Sequence, residues 1–322
     1  MKRLVCEISI GSIAANYVES FKISSSWDTF TDTAEISIPR TVVHEKQKKR
    51  IDTLISVGDE VEIKAGYFPN LESRFVGFVV GVESGVVTKI KCEDFAYLCK
   101  QKAENFSTES TTVETLINKM KPDGITVDAI DAEIGSFRVK NSTLSQVLDK
   151  IRKNYGVRTW FRDSILIAGL PYISNSGIDH EISFQSDIPI GKGDGLKYEN
   201  SDDVKLKVKA ISILPNNKKI TVEVGDPTGE QRTFNAYNIK TEKELKKLAD
   251  QHLDDLKFTG FRGSFEMFGE PMIKHGDKVK LTDKLNPERG DGVTKYGVKG
   301  VETLFSVGSG FRQIVTLGKK SS

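Results

Sequence analysis

The residues best suited to chemistry are the acidic pair Glu93-Asp94, set between Cys92 and Cys99. Two carboxyl groups facing one cleft can act as general acid and base in glycan cleavage. Sequence neighbours on a strand point to opposite faces, however, and no second motif supports the pair. The 4 histidines, His44, His180, His252 and His275, stand singly, without the HExxH spacing that puts two ligands on one helical face. Gly191-Lys192-Gly193-Asp194-Gly195 has a lysine among glycines but neither the spacing nor the following Ser/Thr of a phosphate loop. There is no GxSxG elbow to present a serine nucleophile. Cys6, Cys92 and Cys99 are too few and too irregular for a disulfide framework or a zinc site, and Cys92 and Cys99 read as small buried or half-buried thiols. Trp27 and Trp160, which could stack on a sugar, lie far apart and read as core residues. No catalytic residue, cofactor or metal is expected.

Composition narrows the classes further. The 322 residues suggest two or three compact units, at roughly 100–200 residues per domain. Lys+Arg 47 against Asp+Glu 45 leaves a net charge of +2, without the basic excess of a dedicated nucleic-acid binder. Glu7 interrupts the apolar start before a secretory segment can form. The longest apolar run, Phe75 to Val82, falls far short of the ~20 residues of a membrane helix. Synthesis in a reducing cytoplasm, with no membrane span, is expected.

Residues 1–100 alternate apolar and polar side chains with period two, as in Thr33-Ala34-Glu35-Ile36-Ser37-Ile38 and Val61-Glu62-Ile63-Lys64-Ala65. About six strands result, enough for a small barrel. Thr41 to Arg50 breaks the rhythm and reads as a basic loop or short helix, solvated or facing an acidic partner. Residues 101–170 read as an α+β unit with two helices. One is capped by Thr111 in a box with Glu114, and the other starts near Asn141 to Thr143 and ends at Gly156. The second helix buries Leu144, Val147, Leu148, Ile151 and Tyr155. Residues 171–203 form a linker with one or two short strands. Residues 204–322 return to strands as a second barrel, with a helix over 241–257 capped by Thr241 and packed through Leu245, Leu248, Leu253 and Leu256.

The two strand-rich ends resemble each other. Val57-Gly58-Asp59-Glu60-Val61 matches His275-Gly276-Asp277-Lys278-Val279, in each case a Gly-Asp turn launching a strand. Farther on, Phe75-Val76-Gly77-Phe78-Val79-Val80-Gly81-Val82-Glu83 stands opposite Lys295-Tyr296-Gly297-Val298-Lys299-Gly300-Val301-Glu302. Gly58, Asp59, Gly77, Gly276, Asp277 and Gly297 are therefore the candidate residues that set the two units. Three copies of a chain with two similar barrels would offer six similar units around one axis, so such a chain could join a threefold object to a sixfold one.

These residues carry a resemblance. Gly58-Asp59-Glu60-Val61, Arg74-Phe75-Val76-Gly77-Phe78-Val79 and Ile90-Lys91-Cys92-Glu93-Asp94 with Tyr97-Leu98 resemble the first barrel of baseplate hub proteins of contractile-tailed phages, the late-control-protein family. Leu144-Ser145-Gln146-Val147-Leu148 through Tyr155-Gly156-Val157 to Trp160-Phe161 is similar to the family's inserted α+β domain. Gly276-Asp277-Lys278-Val279, Tyr296-Gly297-Val298 and Phe311 to Gly318 resemble its second barrel, and the hub part of type VI secretion spike proteins is similar. The resemblance spans nearly the whole chain and implies a homotrimeric ring with pseudo-sixfold barrels, docked on a hexameric tail tube and receiving a trimeric central spike. Because the chain stops just after the last strand, that spike is expected to be a separate chain.

The expectation is thus an α+β, mainly β protein of two similar barrels and an inserted domain, acting as a structural hub among other baseplate proteins. Two alternatives stay open: a tail-associated peptidoglycan hydrolase using Glu93 and Asp94, and a glycan-binding tail module.

Overall fold

The computed structural model describes residues 3–15, 17–44, 47–169, 177–189, 191, 195–214, 218–237, 239–289 and 291–321. The first part of the chain forms β1 (Leu4–Ile10), β2 (Ile13–Ala15), β3 (Ser20–Ser26), β4 (Thr33–Pro39), β5 (Thr41–His44), β6 (Gln47–Arg50), β7 (Glu60–Tyr67), β8 (Glu72–Glu83) and β9 (Val87–Glu93). The middle contains β10 (Ala103–Thr112), α1 (Val113–Met120), β11 (Thr126–Ala129), β12 (Glu133–Thr143), α2 (Leu144–Tyr155), β13 (Arg158–Arg162) and β14 (Ile165–Gly169). There follow β15 (Asp179–Ser183), β16 (Leu196–Glu199), β17 (Leu206–Ile213), β18 (Lys219–Gly225), β19 (Glu230–Tyr237), α3 (Glu242–Leu256), β20 (Gly260–Phe268), β21 (Lys278–Thr282), β22 (Asp291–Ser306) and β23 (Gly310–Ser321).

Period-two alternation becomes half-buried strands. In β4, Ala34, Ile36 and Ile38 are buried while Glu35 and Ser37 between them reach outward, and β21 buries Val279 and Leu281 in the same way. In β8 the second face is also covered. Phe78 packs at 5.9 Å from Phe95 and 5.3 Å from Tyr97, on a single 3-10 segment (Phe95–Lys100).

The main sheet has 13 strands among the described residues, in the order β16-β20-β23-β22-β3-β4-β9-β8-β7-β1-β2, with β21 also on β22 and β15 on β21. Two closed barrels were expected; the strands instead follow one continuous path, and no closed barrel is found among them. The reason lies in β22. Its first part pairs with β21, its second part runs on past that strand, and β3 takes the vacated edge from Gly300↔Ser26 to Ser306↔Ser20. Phe305 at the far end of β22 then stacks on Phe21, with ring centroids 5.0 Å apart and planes 9° apart, inside the core of the first part.

Two further expectations change. Thr41 to Arg50 is neither loop nor helix where it is described, because the β-branched Thr41-Val42-Val43 extends and pairs with Gln47–Arg50 as the hairpin β5–β6; Glu45 and Lys46 lie outside the described residues. The 206–256 stretch is not part of a barrel. Both edges of β17 are taken, by β18 antiparallel and β19 parallel, so it cannot extend the main sheet. It forms a small three-stranded layer on which α3 buries Leu245 and Ala249 and packs Leu248, Leu253 and Leu256. Of the expected linker, β15 and β16 are strands of the main sheet, while residues 171–176, 190 and 192–194 lie outside the described residues.

The helices follow their local signals. In α2 the Thr143 hydroxyl accepts from the Gln146 amide, Gln146 reaches back, and Gly156 closes the helix at φ 70°. Its buried stripe is the expected one, Leu144, Val147, Leu148, Ile151 and Tyr155. In α1 the cap is one residue later than expected, since Thr112, not Thr111, accepts from Thr115 N–H at 3.2 Å. Both helices bury their stripes in one core against the sheets of the inserted unit.

Candidate functional site

The Gly-Asp turns are built alike, hydrogen bond for hydrogen bond. In the first, Gly58 N–H donates to Val79 O at 2.8 Å, Asp59 N–H to Ser56 O at 3.1 Å and Val79 N–H to Asp59 O at 2.9 Å. In the second, Gly276 N–H donates to Val298 O at 2.9 Å, Asp277 N–H to Lys274 O at 3.1 Å and Val298 N–H to Asp277 O at 2.8 Å. The aspartate carboxylate accepts the amide three residues back in both, Ser56 N–H at 2.8 Å and Lys274 N–H at 2.9 Å. Gly58 and Gly276 sit at φ 95° and 86°, a region that side chains disfavour.

The likeness continues along the strands. Val79 faces Cys92 and Val298 faces Leu317, and in both copies a one-residue bulge follows, so that Gly81 meets Lys91 and Gly300 meets Thr316. Six strands correspond: β3, β4, β1, β7, β8 and β9 with β16, β20, β15, β21, β22 and β23. The two copies differ at one edge, where β1 runs antiparallel to β7 but β15 runs parallel to β21.

Gly77 and Gly297 are not counterparts. Val61 pairs with Gly77, whereas the equivalent Val279 pairs with Tyr296, so the two glycines are one place out of step. A Cβ on Gly77 would lie 2.2 Å from the Glu93 carbonyl oxygen, while one on Gly297 would lie 3.6 Å from the Lys319 oxygen, an ordinary contact.

Around the second turn the aspartate has gained partners from elsewhere. Asp277 is 2% exposed. It accepts from Arg162 Nη2 at 2.8 Å and Ile178 N–H at 3.1 Å, and its Oδ2 lies 3.1 Å from His180 Nε2. Burial works against its charge, but His180, the Lys274 and Ile178 amides and Arg162 together hold the carboxyl below its ordinary range. Nearby, His275 Nε2 lies 3.5 Å from Asp32, and Asp32 O accepts from Asp94 N–H at 3.0 Å. Burial, then the neighbouring Asp32, pushes the Asp94 carboxyl well above its ordinary range. These groups come from the first end unit, the inserted unit and the second end unit. Asp28 makes a second such junction: it pairs with Arg158 and with Lys299 Nζ at 3.1 Å, beside Trp27, whose ring lies 5.6 Å from the Arg158 guanidinium.

The residues considered for chemistry are engaged in structure. Glu93 binds Lys100 Nζ at 2.6 Å, and Asp94 Oδ1 accepts from Ala96 N–H at 3.0 Å as the cap of the 3-10 segment. Burial pushes the Cys92 and Cys99 thiols up to about 12. Trp160 is buried and Trp27 half-buried. Among the described residues no group of three or more His, Cys, Asp and Glu could hold a metal ion, and no helix is long and apolar enough to cross a membrane. Asp32 and Arg162 carry no local signal in the sequence and His180 only that of a lone histidine, because their partners lie far away along the chain.

By sequence, no family and no curated protein matches the chain. By structure, it is similar to a tail protein from Neisseria meningitidis MC58, with a TM-score of 0.64 at 16% identity, covering 99% of this chain and 97% of that one. It is also similar to the 43 kDa tail protein of prophage MuSo2 from Shewanella oneidensis, with a TM-score of 0.62 at 13% identity over 98% of both chains. A third solved structure is the E. coli c3393 protein, a type VI secretion component described as structurally similar to the T4 bacteriophage tail proteins gp27 and gp5. There the TM-score is 0.60 at 10% identity, over 98% of this chain and 77% of that one. At such identities the likeness is one of fold, and the chain has the fold of these phage tail and type VI secretion proteins.

Proposed function

We propose that the chain is a structural baseplate hub of a contractile phage tail or tail-like injection system. In this reading it forms a homotrimer whose six similar end units dock on the hexameric tail tube, while its other side receives a trimeric central spike. The observation that carries the reading is the repeat itself. Two units with the same turn, the same bulge and the same strand order lie in one chain and are joined edge to edge by β3 and β22. A closed trimer of such a chain places six related surfaces around one axis, which is what a threefold-to-sixfold adaptor needs. The solved tail proteins of the same fold support the setting. The role proposed is architectural and without catalysis, in keeping with Glu93 held by Lys100 and Asp94 spent on a cap.

Light scattering on the eluting protein, alone and with the candidate spike protein encoded nearby, tests the reading. A mass of three chains in either sample, and a ring in electron micrographs, is the expected result. A chain that stays monomeric in both overturns it, as does a ring of normal stoichiometry from a variant lacking either end unit.

A further inference from the structure

The joint between β22 and β3 has a vacant counterpart. Past its bulge, at Gly300, β22 leaves β21 and is covered by β3. Past the same bulge, at Gly81, β8 leaves β7 and pairs only with β9 among the described strands. On the other unit, β16 corresponds to β3. It pairs with β20 on one side and ends the sheet on the other. Each chain therefore holds one filled joint and the two halves of an unfilled one, β16 at the end of the sheet path and the far part of β8 within it, beyond the reach of β7.

We infer that β8 of one copy pairs with β16 of a second copy of this chain, in the register of the internal joint. The register can be carried over residue by residue. Within the units, Ile23 faces Ala34 and Leu196 faces Gly263, and the ladders of β4 on β9 and β20 on β23 make Ala34 and Gly263 equivalent, hence Ile23 and Leu196. The internal joint sets Gly300 against Ser26, Val301 against Ser25, Glu302 against Ser24 and Thr303 against Ile23. Its counterpart sets Gly81 against Glu199, Val82 against Tyr198, Glu83 against Lys197 and Ser84 against Leu196 of the second copy.

The side chains suit these pairings. Val82 meets an aromatic ring and Glu83 meets a lysine, both favourable cross-strand pairs. The internal joint has its own acid–lysine contact, Glu302 to Lys22 Nζ at 2.9 Å. Counting on from the bulge, Val86 falls at the place of Phe305. Phe305 is 8% exposed, buried in the neighbouring unit's core, whereas Val86 at its hairpin tip is 94% exposed. A bare strand edge with an exposed apolar tip is a surface made for strand addition. Since the β8–β9 hairpin turns earlier than β22–β23, the joint between copies is the shorter of the two, and the two kinds alternate around a closed assembly.

The inference rests on the hub reading for the number of copies but not for the register. Glu83→Cys and Lys197→Cys provide the test, because Cys6, Cys92 and Cys99 are buried and do not compete. The two single variants are mixed, oxidised at native concentration, alone and with the spike protein, and run without reductant. A dimer band that needs both variants is expected, and the double variant should give a ladder up to the number of copies in the assembly. Separately, Glu83→Lys should lower the assembled fraction at least tenfold at low salt, and adding Lys197→Glu should restore it. An assembly of three chains that forms no such disulfide and ignores both charge changes overturns this joint and leaves the hub reading standing. A chain that remains monomeric in both samples overturns the two together.

Discussion

Arg162 Nη2 donates to Asp277 Oδ1 at 2.8 Å across 115 positions of sequence. One end of this bond lies on the last residue of β13 in the inserted unit, and the other lies in the turn that launches β21. The contact therefore fixes the inserted unit to the second end unit through the same carboxylate that shapes the turn.

The two turn aspartates should consequently differ in worth. Asp277→Ala removes a buried carboxylate that accepts from Arg162 and from the Lys274 and Ile178 amides, a loss of about 3–5 kcal/mol. Asp59→Ala removes one amide contact at a half-buried turn, a loss of about 1 kcal/mol. Urea unfolding monitored by fluorescence measures both, and equal losses would show that the extra partners of Asp277 add nothing. The charge on Asp277 also sets an acid limit. Its folded carboxyl titrates below the ordinary value, so the stability it adds is complete above about pH 4 and is lost as pH falls through the lower folded value.

Asp94 has the opposite sign. Its folded carboxyl holds a proton more tightly than an unfolded one, owing to burial and then to Asp32, while Lys100 offsets part of this. Stability is therefore penalised as pH rises from about 4 through the raised folded value. Asn serves as well as Asp at an N-cap, so Asp94→Asn keeps the bond from Ala96 and removes the penalty. The variant should be more stable than the parent by about 1 kcal/mol or more at pH 8 and nearly equal to it at pH 4. Thermal melts across that range decide, and a variant less stable at pH 8 would contradict the reading.

The two strand glycines make a sharper pair. Gly77→Ala forces a methyl group to 2.2 Å from the Glu93 carbonyl, so backbone must move, and a loss of about 2 kcal/mol or more is expected. Gly297→Ala meets nothing closer than 3.6 Å and should stay within about 0.5 kcal/mol of the parent. Denaturant midpoints of the two variants measure the difference, and similar losses would restore the equivalence suggested by sequence.

What the sequence made legible was local. The stripe and caps of α2 lie within sixteen residues of chain, from Asn141 to Gly156, and the Gly-Asp turns close on themselves, so both could be read without knowing any distant neighbour. At α1, Ser110-Thr111-Thr112 offered three hydroxyls, and the backbone uses the last. Gly77 and Gly297 were matched by type, but a strand position is defined by its ladder partner, and those partners lie on other strands. Alternation marks Phe305 as inward-facing without saying into which core, which is why the continuous sheet was not foreseen. Arg162 carried no signal, and His180 only that of a single histidine, because their common partner, Asp277, lies about a hundred residues away along the chain.

That long-range joint should carry much of the coupling between the two ends. Phe305 leaves its own unit to stack on Phe21 at 5.0 Å and lies 6.3 Å from Phe311 in the same core. Phe305→Ala removes a buried ring and its stacking partner's contact, for a loss of about 3–5 kcal/mol. If the stack acts as a unit, Phe21→Ala combined with Phe305→Ala should lose less than the sum of the two single losses. Hydrogen exchange should localise the effect, with the amides of β3 and the end of β22 losing protection before those of β7 and β21. A loss under about 1 kcal/mol, or strictly additive single losses, would mean that the backbone ladder from Ser20 to Ser26 holds the ends together without the ring.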